Sequence, residues 1–338
     1  KKKWEYYFNY FVIFFLIFIF YGIARSLLSE FPWYSLSESG SLFYFRYLLF
    51  ILGVSYLVKK NPNILNVFMM ILFLCLIVVS LDGIYQFIFG KNSLGFVKPD
   101  DMTRITGFFG DEAILGRYIS YMVAIFLFLY MSNDLKNSQK LVLFFFLPIV
   151  LGTTFLSGDR APLLRLILIL SLFSFFLKNN KLPYFGSLFF TLIVSLSILI
   201  TIPSVKSRVV NDSLDLIKQN QYFLAPYGKD YEDIFITSIR IGNLNPIFGK
   251  GPNAYKVYCD SYKITSYVNC SHSHNFYLQL FSEQGLLGLL FLLFFYVYLI
   301  KVILKKIINS IKKNSIVSEP FSKIGVVISL LVFFLPII

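Results

Sequence analysis

The feature that most constrains this chain is a series of nearly uninterrupted apolar runs, most of them long enough to cross the roughly 30 Å hydrocarbon core of a bilayer as a helix. They extend from Tyr6 to Ile23, Leu42 to Val58, Ile64 to Phe89, Ala113 to Met131, Leu141 to Leu156, Leu163 to Leu177, Leu182 to Ile202, Phe276 to Leu304 and Ile324 to Ile338. With 57% hydrophobic residues, 14% charged residues and a mean hydropathy of +0.70, the chain takes the membrane as its solvent. The runs on either side of Ser157 to Pro162 are short for a bilayer, so those two spans are tilted or partly re-entrant. Further runs follow the first one and no small-residue cleavage pattern ends it, which makes it a span and not a signal peptide. The chain starts without Met and its last run stops at Ile338, so it reads as a piece of a longer protein. The expected fold is an all-α polytopic membrane protein, a bundle of about nine or more transmembrane helices with one larger periplasmic segment.

Short cytoplasmic loops collect basic residues. With the N-terminus inside, the inner segments hold Lys1, Lys2, Lys3, Lys59, Lys60, Lys136, Lys140, Lys178, Lys181 and six lysines from Lys301 to Lys323: fifteen lysines and no arginine. All eight arginines fall in outward loops or within spans. A lysine suffices as a topological anchor, whereas the arginine fork reads phosphate oxygens two at a time. Arginine is thus reserved for a task outside, unless the pattern is only a coding bias toward lysine. The net charge of +13 records topology and does not point to nucleic acid.

Three parts follow. Residues 1–202 carry seven spans with short loops, residues 203–273 form a folded extramembrane segment of mixed charge and frequent turn signals, and residues 274–338 carry the C-terminal spans. Within the middle part, Asp230 to Asn243 places Ile234, Ile236, Ile239 and Ile241 among polar residues, the pattern of a short amphipathic helix near the interface.

Four groups of residues could carry chemistry. Ser157 to Pro162 put Asp159 and Arg160 at the outer membrane surface, where a charge is either functional or a snorkelling ion pair. Arg240 precedes Asn245, Pro246, Gly249, Lys250 and Gly251, whose glycines either let backbone amides approach an anion or make only a tight turn. Ser271, His272, Ser273, His274 and Asn275 contain both histidines of the chain, and Asn275, Gln279 and Glu283 then recur every four residues on one helix face. Gly285 and Gly288 follow and leave room for close helix packing. Arg104 to Arg117 form a charged cluster at the outer end of the fourth span, either an entrance or an interfacial anchor. Cys259 and Cys270 match no common zinc spacing with the histidines, so a disulfide is favoured over metal, with two free thiols the remaining option. Cys75 lies inside a span as a packing residue.

His274 and Asn275 followed after nine residues by Gly285 and after two more by Gly288 resemble a motif of O-antigen ligases. Leu156 to Pro162 resemble an SGxRA element, Arg240 with Asn245, Pro246, Gly249 and Gly251 resembles the stretch before the histidine, and Arg104, Gly107 and Phe109 resemble a looser element. In this order they resemble the O-antigen ligase/polymerase family of lipid-linked glycan transferases. The resemblance implies a multi-pass enzyme of the bacterial inner membrane whose active site faces the periplasm. Such an enzyme takes a glycan from undecaprenyl diphosphate. The acceptor is the lipid A core in a ligase, and another lipid-linked repeat of O-antigen or capsule in a polymerase. Donor, acceptor and membrane lipids are the partners, and neither nucleotide sugar, cofactor nor metal is needed.

Under that resemblance Arg160 and Arg240 clamp the leaving diphosphate, with bidentate geometry favouring arginine. Arg104 and Arg117 assist at the entrance, and Gly249 and Gly251 contribute to substrate binding. His274 is the base for the acceptor hydroxyl, a role that suits an unperturbed pKa of about 6.5, and Asn275 or Glu283 orients it. The match at His274 favours ligase over polymerase. The scheme requires Arg160, Arg240 and His274 to meet at the periplasmic mouth of one bundle. A transporter or flippase of lipid-linked glycans is the rival of another class; inverted repeats and Gly- or Pro-broken helices would favour it, and no clear internal repeat is present.

Overall fold

The computed structural model describes residues 10–37, 40–98, 104–130, 136–174, 181–211, 214, 229–266, 268 and 270–313. In chain order the helices are α1 (Tyr10–Leu27), α2 (Pro32–Leu36), α3 (Tyr44–Lys60), α4 (Ile64–Phe89), α5 (Leu115–Tyr130), α6 (Asn137–Leu156), α7 (Arg160–Ser174), α8 (Lys181–Thr201), the single turn α9 (Pro203–Lys206), α10 (Lys229–Asn243), α11 (Ala254–Tyr262) and α12 (Phe276–Lys313). Short 3-10 turns cover Ser41–Phe43 and Gly107–Phe109. The only β pairing among the described residues is an isolated bridge between Lys91 and Val97. The chain is an all-α membrane protein.

Five helical stretches are long and apolar enough to cross a bilayer: Pro32–Lys60, Ile64–Phe89, Asn137–Leu156, Tyr184–Thr201 and Phe276–Lys305. Two apolar helices, Val12–Leu27 and Leu115–Leu127, are shorter, and α7 has 15 residues. The expected count of nine spans is therefore not reached among the described residues; the ninth expected run, 324–338, lies outside them. Phe20, Leu49, Phe50 and Phe189 are 60–71% exposed on these helices. Hydrocarbon can cover such side chains, and a helix satisfies its own backbone groups there.

The chain forms two compact units, neither continuous in sequence. The first contains α1 to α3, α10, α11 and α12 as far as Val297; the second contains α4 to α9 and the rest of α12. This grouping cuts across the three consecutive parts expected from the sequence.

In the second unit the core runs from Leu72 and Leu76 on α4 through Ile119 and Phe126 on α5, Phe146 and Val150 on α6, and Leu166 and Phe173 on α7 to Tyr184 on α8. α6 is the most buried of the five long spans and packs closely along α8. There Gly186 admits the Phe144 ring, and the Ser187 hydroxyl donates to the Phe144 carbonyl at 2.9 Å. In the first unit α1 packs on α3 through Val12, Ile19 and Leu48. The rings of Phe14, Phe18 and Tyr21 lie 5.5–5.9 Å from that of Phe291 on α12.

α10 buries Ile234, Phe235 and Ile241 against Tyr255 and Cys259 of α11 and Val268. Its apolar face, which the sequence reading laid near the membrane interface, is thus filled by protein. Ile236 and Ile239 remain half-buried.

α12 is not one continuous helix. Gly285 breaks it with a φ of 65°, a left-handed value that glycine adopts without a steric cost. The segment Asn245–Gly251 docks on the break. Its Lys250 and Gly251 amides donate to the Ser282 and Glu283 carbonyls, while its Pro246 and Ile247 carbonyls accept from the Leu286 and Leu287 amides, all at 2.8–3.2 Å. The Tyr21 hydroxyl caps the Gln284 carbonyl at 2.7 Å. Backbone groups freed inside a span need such partners, and neighbouring protein supplies them. A Cβ on Gly249 would lie 2.4 Å from the Glu283 carbonyl, and one on Gly285 would lie 2.5 Å from the Gly249 nitrogen. The two glycines are what let the strands of backbone touch.

Candidate functional site

The expected site residues fall in both units, each taken by itself. In the first unit Arg240 occupies the last turn of α10 and is exposed. His274 stands immediately before α12's capping residue with a φ of 51°, left-handed although it is not glycine. Such a backbone costs about 1–3 kcal/mol and persists only where its surroundings impose it. Those surroundings are visible. The His274 ring lies 3.9 Å from that of His272 and stands edge-on to Tyr231 of α10 at 5.7 Å. His272 Nδ1 is 2.8 Å from the Ser271 hydroxyl, and the Ser273 hydroxyl donates to the Asn275 carbonyl at 2.9 Å.

Asn275 has a structural use the sequence reading did not foresee. Its Oδ1 accepts from the amides of Tyr277 and Leu278 at 3.0 and 3.2 Å, which makes it the N-cap of α12. Glu283, buried two turns further along, accepts from Gln279 Nε2 at 3.2 Å and from the Asn253 amide. Its carboxylate thereby ties the glycine-bearing loop to α12. Lys250 reaches Glu30 at 2.6 Å and lies over the Tyr258 ring at 4.9 Å; the hydrogen bond holds the Lys250 ammonium above its ordinary range and the Glu30 carboxyl below. Arg25 donates to the Gly249 carbonyl. With the Lys250 and Gly251 amides already bonded to α12, the glycines here serve a close backbone packing that neither the anion reading nor the tight-turn reading of the sequence named.

Cys259 and Cys270 are joined in a disulfide. Both sulfurs are therefore bonded to each other, and no group of three or more metal-ligating side chains occurs among the described residues.

In the second unit Asp159 pairs with Arg104, not with its chain neighbour Arg160, at 3.1 Å. Burial pushes the Asp159 carboxyl up, while Arg104, Arg117 and Arg165 pull it down; burial prevails and the net shift is upward. Arg104 is paired with this carboxylate, and the charges of Arg117 and Arg165 also act on it, a local excess of positive charge. Arg117 is exposed and Arg160 half-buried at the start of α7. Gly116 lets the start of α5 approach Ser157, whose turn continues through Gly158 at a φ of 68°.

Two features of this half were not singled out in the sequence. Arg165 is 8% exposed on α7 with its guanidinium 5.3 Å from the Tyr121 ring. Its place inside an apolar run was the available signal. The second is the support of the Arg104 segment by α4. Gln86 Oε1 accepts from the Thr106 and Gly107 amides at 2.8 Å, Asn92 Nδ2 donates to the Gly107 carbonyl at 2.9 Å, and Asp82 accepts from Ser93 at 2.9 Å. These partners are separated in sequence by up to twenty-one residues, so no local pattern announces them.

Residues 141–293 match the family model described as O-antigen ligase. Over these residues, somewhat less than half of its length, the chain is similar to the O-antigen ligases. The matched stretch contains Arg160, Arg240, His274, Asn275 and Glu283 with both motif glycines, whereas Arg104 and Arg117 precede it. No curated protein matches the chain. In this chain the Asn-Pro, Gly-x-Gly and His-Asn to Gly285 stretches have a common physical meaning, since the first two dock on the helix that the third begins.

Proposed function

We propose that this chain transfers O-antigen polysaccharide from undecaprenyl diphosphate to the lipid A core at the periplasmic side of the bacterial inner membrane. The observation that carries the reading is that the O-antigen ligase match spans Arg160, Arg240 and His274 together. The disulfide supports the outer placement of Cys259 to His274, because such bonds persist in oxidising compartments.

In the proposed reaction the acceptor hydroxyl oxygen attacks the anomeric carbon as its proton passes to His274. The bond from that carbon to the diphosphate oxygen breaks, and the carrier diphosphate leaves with the electron pair. Arg160 and Arg240 stabilise the growing negative charge, Arg104 and Arg117 attract the anionic donor, and the caps on α12 hold the base in place. No metal or nucleotide enters the scheme.

The test is glycan laddering on lipid A in cells whose own gene is replaced by variants. His274→Ala and Arg160→Ala should lower transfer on the order of a hundredfold or more, as loss of a charge-stabilising or proton-accepting group does. Arg240→Lys should lose most activity. Normal ladders at wild-type protein levels would remove these residues from the reaction. Deletion should leave lipid A bare while polymer accumulates on its carrier; single repeats on lipid A would instead assign the chain to the polymerases.

One observation favours the rival transporter, namely the glycine-broken α12. Purified chain that joins glycan to acceptor with no other component decides against it.

A further inference from the structure

We infer that the Cys259–Cys270 disulfide is a positioning device for His274, which rests on the reading of His274 as the base. Cys259 lies on α11 and is 0% exposed, packed in the core that holds Ile234, Phe235 and Ile241 of α10. Cys270 is two residues before His272 and four before His274, in the connection from α11 to α12. That connection carries no helix or strand among its described residues. A second tie to α10 is the hydrogen bond from the Thr265 hydroxyl to Asp233, at 3.1 Å.

The geometry assigns the bond a specific task. His274 holds a left-handed backbone, and its ring contacts those of His272 and Tyr231. A non-glycine residue relaxes from that conformation unless it is held from both sides. On the C-terminal side the Asn275 cap and α12 hold it. On the N-terminal side the covalent anchor is Cys270, bolted to the same core from which Tyr231 and Arg240 project. Breaking the bond frees the histidine segment on that side while leaving α10, α11 and α12 packed. The imidazole then loses its fixed approach to the acceptor, and donor binding by the arginines is untouched.

The experiment uses the full chain, with Cys75→Ala to remove the third thiol, in lipid nanodiscs with undecaprenyl-diphosphate glycan and lipid A core. A dithiol reductant delivers two electrons and two protons to the S–S bond, giving two thiols and the cyclised reagent. Reduction should lower kcat on the order of tenfold to a hundredfold, the size of effect expected from displacing a catalytic group by about 1 Å. KM for the donor should stay within about threefold, as uniform binding is unaffected. Rebridging the two sulfurs with diiodomethane, which forms two C–S bonds and releases two iodides, should restore kcat.

In a His274→Ala background reduction should leave the residual rate unchanged. An equal drop in that background, or an unchanged kcat after reduction of the parent, would overturn the inference. Full activity of His274→Ala in oxidised protein would instead remove the base assignment itself, an outcome separate from any response to reductant.

Discussion

At the scale of single residues, the His-Asn pair illustrates how a motif can carry two functions at adjacent positions. Asn275 was read as a partner for His274, yet its Oδ1 caps α12. The two roles separate experimentally. If the cap is what matters, Asn275→Ala destabilises the fold by about 1 kcal/mol, whereas Asn275→Asp or Asn275→Ser retains both stability and transfer. Thermal unfolding in detergent alongside ladder assays checks this, and loss of transfer in a well-folded Asp variant would restore the orienting role. Capping was legible in principle, since Asn precedes an apolar helix, but the histidine beside it drew the chemistry to the pair. The charged turn shows the converse. Asp159 and Arg160 are neighbours in sequence, so the simplest pairing joined them; the fold brings Arg104 from fifty-five residues away to within 3.1 Å of Asp159. A distance of that kind is set by the α4 polar network and has no local signature.

At the scale of elements, helix positions followed closely from apolar periodicity and length because the bilayer selects both. What periodicity could not give was the break in α12. Gly285 stands where a polar-faced stretch with Gln279, Ser282, Glu283 and Gln284 gives way to an unbroken apolar run, a pattern that a continuous helix would also show, and its partner segment lies some forty residues upstream. The sequence marks Gly285 as a packing residue and Gly249 only as part of an anion-binding loop or a tight turn, and the backbone-to-backbone docking that the two permit needs the fold to be seen. Gly249→Ala and Gly285→Ala should each lower stability by about 1–3 kcal/mol, from left-handed strain and from Cβ contacts under 3 Å. The double variant should be less harmful than the sum, because both substitutions disrupt one contact. Gly53→Ala, with nothing within 4 Å, should be close to neutral. Denaturation midpoints of the four proteins measure the series; additive losses would mean that the two glycines do not share a contact.

At the scale of the whole molecule, the arrangement of lysines predicts an inner face and leaves the arginines and the disulfide to the other. In spheroplasts of a Cys75→Ala strain, an impermeant maleimide should label Asp111→Cys and spare Asn61→Cys until the membrane is opened. Both positions are exposed in the fold, so accessibility reports the side of the membrane. Equal labelling of the two would overturn the orientation. The order of motifs along the chain carried the resemblance to O-antigen ligases that residues 141–293 match, while the composition of each compact unit was not readable. Segments 10–64 and 229–297 are brought together by contacts between residues more than two hundred positions apart, among them Arg25 with Gly249 and Tyr21 with Gln284.

The docked segment on α12 has a consequence for how such chains can diverge. Neither Asn245–Gly251 nor the interrupted turn around Gly285 has a complete set of backbone partners without the other. Homologous recombination that exchanges one stretch and leaves its counterpart behind would strand amides and carbonyls in an apolar surrounding. The two stretches thus form a matched pair, and a substitution that suits one is expected to be tolerated only beside the backbone geometry of the other.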